Sequence, residues 1–249
     1  MTSRLTLVIV IFFLSSSQSI SFKDSQLRYS RVRQAYMDKE SSLLTLLQSK
    51  QINKNNLNIY LRAFKSEKKI ELWGKNNFDT QYSLIKTYEV CRTSGILGPK
   101  RKQGDLQVPE GFYHIDRFNP SSNFYLSLGI NYPNKSDKIL GVKGNLGGDI
   151  FIHGACVTIG CLPITDDQIK ELYIFCIEAK NNGQLEIPVT IFPSKLTGNE
   201  YNRLIDKYSA ASDKIGLWTD LKIVYDIFNE TKQIPMTEFL NSGRLNVKK

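Results

Sequence analysis

Ile150-Phe-Ile-His-Gly-Ala-Cys-Val-Thr-Ile-Gly-Cys161 is the stretch on which the reading of this chain turns. It opens as a buried-looking strand, Asp149 to His153, and ends in a glycine-bearing loop that carries a thiol. A cysteine is a useful nucleophile only as the thiolate, and a nearby imidazole supplies that form by taking the proton. Eight positions separate His153 from Cys161, so the side chains meet only if the chain folds back, which Gly154 and Gly160 permit. Two other readings fit the same residues. Free cysteine packs like a small hydrophobe, and His153, Cys156 and Cys161 form a His-x2-Cys-x4-Cys set of three zinc-compatible ligands, with no fourth nearby.

Outward from this stretch the pattern is one of short strands followed by helix. Leu57 to Phe64, Lys69 to Trp73 and Tyr82 to Val90 are runs of β-branched and aromatic residues with partial alternation, which predicts consecutive strands. Val108-Pro-Glu-Gly enters another strand through Phe112 and His114, and Phe124 to Ile130 gives one more. Gly95 to Gly104, with the triplet Lys100-Arg101-Lys102, reads as a solvated loop, and residues 131–148 as a glycine-rich one. Thr165-Asp-Asp-Gln168 predicts a capping box, with Gln168 reaching back, for a helix to about Asn182 that Gly183 stops. Ile169, Leu172, Tyr173 and Cys176 share one face of it, making Cys176 a core residue. Ile187 to Pro193 is a last strand, and the chain from Thr197 onward is expected to be helical. An amphipathic helix is expected between Ser25 and Lys50.

The first residues, Met-Thr-Ser-Arg followed by apolar Leu5 to Leu14 and then Ser15-Ser-Ser-Gln-Ser-Ile-Ser21, have the form of a secretory signal peptide. Ten apolar residues are about half of the roughly 20 that span a bilayer, so a permanent membrane span is not expected. The net charge of +9, one less once Arg4 is removed, favours anionic partners such as cell-wall polymer, and export excludes nucleic acid. Four cysteines, Cys91, Cys156, Cys161 and Cys176, are too few for a disulfide framework in a chain this long. Cys156 is left with three roles: a redox lock with Cys161, a modulator of its thiolate, or packing beneath the loop.

With His153-Gly154, Thr158-Ile159-Gly160-Cys161, the Ser94-Gly95 strand end, Val108-Pro-Glu-Gly-Phe-Tyr113 and Tyr132-Pro-Asn, the chain resembles the L,D-transpeptidase catalytic domain family (YkuD-like domains). It is most similar to the shorter-gap branch that includes murein-processing and lipoprotein-releasing proteins. The resemblance implies a mainly β, α+β fold with a sandwich-like catalytic domain over 57–195, an N-terminal helical arm over 22–56 and a C-terminal helical extension over 196–249. It implies Cys161 as nucleophile, His153 as base, the Gly154 carbonyl as orienter of the imidazole, and the backbone amides of Ile159, Gly160 and Cys161 as oxyanion donors. Thr158, Tyr113, Arg117 and Asp149 become candidates for lining or tuning the cleft, and His114 reads as structural. Ile159 stands where the commonest family form has His, and Pro163 where it has Arg or Asn, so contacts made by those family side chains do not carry over.

The chemistry so implied is thiolate attack on a peptidoglycan tetrapeptide at the L-centre of its diamino acid, with loss of D-alanine and no cofactor. The acceptor then decides the outcome: a second stem's amine gives a cross-link, a lipoprotein lysine gives attachment, and water gives carboxypeptidase or amidase activity. A papain-like protease is disfavoured because its nucleophile precedes its histidine, and intact His153 and Cys161 argue against an inactive wall-binding domain.

Overall fold

In the computed structural model, which describes residues 20–248, helices α1 (Phe22–Leu27) and α2 (Ser30–Ser49) precede strands β1 (Leu57–Phe64), β2 (Lys69–Asn76), β3 (Ser83–Glu89), β4 (Gly111–Asn119) and β5 (Ser127–Ile130). There follow α3 (Lys135–Leu140), β6 (Phe151–His153), β7 (Leu162–Pro163), α4 (Asp166–Asn181), β8 (Ile187–Phe192), α5 (Gly198–Lys207), α6 (Ser212–Thr231) and the hairpin β9 (Met236–Phe239) and β10 (Leu245–Lys248). The apolar run Leu5–Leu14, and the signal segment as far as residue 19, lie outside the described residues.

Strands β1 to β8 form one sheet in the order β3-β2-β1-β8-β4-β5-β6-β7, with β1–β8 and β6–β7 parallel and the other pairs antiparallel. Alternation along β1 shows why the sheet is covered on both faces. Leu57, Ile59, Leu61 and Ala63 enter the main core, while Phe64 joins a second cluster with Phe192, Leu204, Trp218 and Leu221. The first face is covered by α4, whose cap is Thr165. Its residues from Leu172 to Ile177 are all buried, so the helix needs partners on every side. The sheet supplies one set, and Val32, Ala35, Leu43 and Leu47 of α2 supply another.

Two carboxylates buried on α4 join these layers. Glu171 accepts from Tyr88 Oη (2.9 Å) and Ser42 Oγ (3.0 Å), and Glu178 accepts from Tyr36 Oη (2.8 Å) and Lys23 Nζ (2.6 Å). Buried charges persist where partners of this kind satisfy them. On the other face, Trp218 Nε1 of α6 donates to Glu110 Oε2 at 2.6 Å, while Glu110 Oε1 pairs with Lys65 Nζ (2.8 Å) and accepts the Gly98 N–H (2.7 Å). One carboxylate thus binds the C-terminal helix to the loop before β4.

Several local expectations are corrected. The glycine-rich stretch 131–148 contains α3, started by a capping box between Asn134 and Asp137. The region after Thr197 is not helical throughout, because β9 and β10 pair antiparallel. At α4, Thr165 Oγ1 accepts the Gln168 N–H at 3.3 Å, but Gln168 Oε1 is buried without a partner among the described residues, so the box is only half formed. Lys100 and Arg101 are not solvated loop residues: Lys100 is buried against Asp105 (2.5 Å) and Arg101 pairs with Asp137 (3.3 Å).

Candidate active site

The two-residue strand β7 organises the site. It runs parallel to β6 with Ile152 opposite Leu162 and His153 opposite Pro163. His153 and Pro163 therefore lie opposite one another, and Cys161 stands in the bend just before β7, two positions ahead of Pro163. The chain between them folds back as the glycines allow. A Cβ at Gly154 would sit 2.5 Å from Asp166 Oδ1 and 2.9 Å from the Phe124 carbonyl, and Gly160 has a φ of +141°. Asp166, in the first turn of α4, also accepts the Ala155 N–H at 2.8 Å, which fixes the turn to the helix start.

His153 is buried, with its ring against that of Phe124 at 4.6 Å between centroids. Its Nδ1 is bonded to the Gly154 carbonyl at 2.5 Å. A carbonyl can only accept, so Nδ1 carries the proton and a neutral ring keeps its lone pair on Nε2. Burial lowers the imidazole's pKa, the Gly154 bond opposes the shift, and the neutral form is the one favoured.

Cys161 is half-buried, and its thiol donates to the Asp149 carbonyl at 3.6 Å rather than to the imidazole. Burial pushes the thiol pKa up, the Phe151 amide lowers it, the Asp149 charge raises it and the more distant Lys100 lowers it. The free protein therefore holds a neutral imidazole on β6 and a neutral thiol just before its partner strand β7. Hydrogen bonds at such sites are often long until substrate arrives.

Thr158 Oγ1 is the centre of the loop that leads to Cys161. It accepts the N–H groups of Cys161 (2.7 Å) and Gly160 (3.2 Å) and donates to the Cys161 carbonyl (2.9 Å). The family resemblance names the amides of Ile159, Gly160 and Cys161 as oxyanion donors. Two of the three amides are already engaged, and that of exposed Ile159 alone makes no internal hydrogen bond among the described residues.

The expectation for Cys156 is corrected as well. It is disulfide-bonded to Cys91, with Cα atoms 5.6 Å apart, and is neither a lock on Cys161 nor a packed free thiol. The bridge joins the segment after β3 to the loop that leads to Cys161. It also removes one thiolate from the His153, Cys156 and Cys161 zinc set. Cys161 and Cys176 are free, the latter fully buried in α4.

A cavity of about 210 Å³ opens beside the thiol, lined by Cys161, Leu162 and the segment Arg92 to Leu97, with Lys65 and Lys68 at its border. Backbone bonds build it: the Val90 N–H donates to the Lys68 carbonyl at 2.8 Å and the Cys91 N–H to the Pro163 carbonyl at 3.0 Å. Tyr113 is not among the lining residues; it is buried and donates to Asp137 Oδ2 at 2.9 Å. Arg117 also stands outside the lining, paired with Asp149, whose carbonyl accepts from the thiol, at 2.8 Å. His114 lies 3.8 Å from Glu186 on a partly exposed strand. Phe124, Cys91, Lys68 and Arg92 were not assigned to the site from sequence, because each reaches it from a distant segment, and Asp166 was read there only as part of the helix cap.

Residues 58–191 match the model of the L,D-transpeptidase catalytic domain. The chain is 37% identical over 193 residues to "Putative L,D-transpeptidase YafK" of Escherichia coli K12, covering 77% of this chain and 74% of that one, and matches the O157:H7 protein of the same name equally. Among solved structures, it is similar to the helical cell shape determining protein Pgp2 of Campylobacter jejuni, with a TM-score of 0.44 at 18% identity over 75% of this chain and 74% of the other. Bd1075 of Bdellovibrio bacteriovorus gives 0.39 at 23% identity over 63% and 56%.

Proposed function

Because the chain belongs to the L,D-transpeptidase catalytic domain family, we propose that it is an exported cysteine acyltransferase acting on peptidoglycan stem peptides, with Cys161 as nucleophile and His153 as general base. The observation that carries this reading is that Cys161 borders a cavity and immediately precedes the strand paired with that of His153, an imidazole whose Nδ1 proton is held by a backbone carbonyl. Nε2 takes the thiol proton, and the sulfur attacks the carbonyl of the L-centre of the diamino acid. The resulting oxyanion is met by the Ile159 amide, joined by those of Gly160 and Cys161 where Thr158 releases them. Collapse breaks the bond to D-alanine, whose amine takes the proton back from His153, and leaves a Cys161 thioester. An acceptor amine from a second stem or a lipoprotein lysine then attacks the thioester and restores the thiol.

Export is supported by the signal-like first 21 residues and by the Cys91–Cys156 disulfide, which suits an oxidising compartment such as the periplasm. No helix among the described residues is long and apolar enough to cross a membrane. Mass spectrometry of tetrapeptide muropeptides incubated with wild type and with Cys161→Ala tests the reading, scoring D-alanine loss, cross-links, attachment and hydrolysis separately. The expected result is Cys161-dependent loss of D-alanine with transfer to an amine. Products that are the same with both proteins would end it, and hydrolysis without transfer would replace transferase by carboxypeptidase or amidase.

A further inference from the structure

The cavity beside Cys161 carries cations that the fold does not use. Lys65 is accounted for, since it pairs with Glu110 and donates to the carbonyls of Ile96 (3.0 Å), Gly98 (2.9 Å) and Val108 (2.9 Å). Lys68 and Arg92 are different. Both are exposed, both line the cavity, and neither has a carboxylate partner among the described residues. They come from separate segments, the β1–β2 turn and the end of β3, and the Val90 to Lys68 backbone bond holds those segments together. No acidic side chain lines the cavity.

A second observation points to a ligand. Ser94 lines the same cavity, and its Oγ is buried without a hydrogen-bond partner among the described residues. A buried hydroxyl left unmatched costs free energy, so its partner is to be sought in what enters the cavity. Two unpaired cations and an unmatched hydroxyl form a set of donors for a carboxylate. The volume of about 210 Å³ suits the end of a peptide rather than a larger ligand.

We infer that Lys68, Arg92 and Ser94 form a carboxylate subsite that seats a stem peptide against Cys161, an inference that rests on the proposed function for the identity of the peptide. Lys100 and Arg101 do not supply this charge, because they pair with Asp105 and Asp137. A stem offers two carboxylates near the reacting carbonyl: the terminal one of D-alanine and the side carboxylate of the diamino acid. Either has the required chemistry.

The test is titration calorimetry on Cys161→Ala protein, which binds without turning over, alone and combined with Arg92→Gln or Lys68→Gln. The ligands are a disaccharide tetrapeptide, the same tetrapeptide amidated at its terminal D-alanine carboxyl, and a tetrapeptide whose diamino-acid carboxylate is amidated. Each charge removal is expected to weaken tetrapeptide binding roughly three- to tenfold, as loss of one partly exposed charge-assisted hydrogen bond does, and Arg92→Lys to recover part of it. The ligand that lacks the recognised carboxylate should bind weakly to the parent and lose nothing further in the variants. Unchanged affinity in both variants, equal losses on all three ligands, or no binding of any stem overturns the subsite. Charge-dependent binding alongside a wild type that turns over no tetrapeptide overturns the transferase reading and leaves the subsite standing.

Discussion

Replacing Cys91 and Cys156 with serine removes a cross-link between residues 65 apart in sequence, which closes a loop containing β4, β5, α3 and β6. In the chain-entropy description, a closed loop of that length restricts the unfolded chain by about 4 kcal/mol at 25 °C. The double variant should therefore be less stable by up to about 4 kcal/mol, a fall in melting temperature on the order of 10 °C for a protein of this size. Urea unfolding of the oxidised wild type, the reduced wild type and the double variant measures it, with the latter two expected to coincide. Thiol titration in denaturant without reductant should count two thiols, those of Cys161 and Cys176, and four after reduction. Four thiols before reduction, a loss under about 0.5 kcal/mol, or a peptide linking Cys156 to Cys161 would each refute the pairing. Beyond stability, the bridge ties the cavity wall at Arg92 to the Cys161 loop, so under the proposed function the double variant should also raise KM for a stem peptide.

Thr158→Val keeps the shape of the side chain but leaves the Gly160 and Cys161 amides without their acceptor. About 1–3 kcal/mol of loop stability should be lost, and hydrogen exchange at those two amides should accelerate; unchanged exchange would contradict the assigned bonds. Because burial raises the Cys161 thiol pKa, iodoacetamide labelling should rise with pH to a midpoint above that of a free cysteine, about 8.5. A midpoint near 7 would mean that the resting protein already holds a thiolate–imidazolium pair. Burial also raises the carboxyl pKa of Asp137 from 3.8 to about 6. Its contribution to stability is thus greatest below about pH 4 and is lost as pH rises through 6, a change of up to about 3 kcal/mol. Denaturant unfolding across that range should show the slope in wild type and a weaker one in Asp137→Asn; identical slopes would dissociate it from Asp137.

What could be read in the sequence was local. β1 occupies Leu57–Phe64 as its aromatic and β-branched run predicts, and α4 begins after Thr165 and ends before Gly183, because strand alternation, helix capping and helix termination are each decided within a few residues. The segment proposed as the site could be singled out for the same reason, since His153, Gly154, Gly160 and Cys161 are close neighbours in the chain. α3 was hidden because six residues among glycines show too little periodicity, and β7 because two residues show none. The C-terminal hairpin was missed where weakly apolar strands take their order from each other and from α6.

The amino-acid sequence by itself determined the α+β class, the family and the residue types available for thiol chemistry. Tertiary structure alone decided which of them stand together. It paired Cys156 with Cys91 instead of Cys161, turned Thr158 onto the amides expected to face an oxyanion, and left Lys68 and Arg92 unpaired while binding Lys100 and Arg101 internally. The physical reason is that a disulfide, an ion pair and a cavity are matters of distance in space. Strand register sets those distances between segments whose separation along the chain does not reveal them.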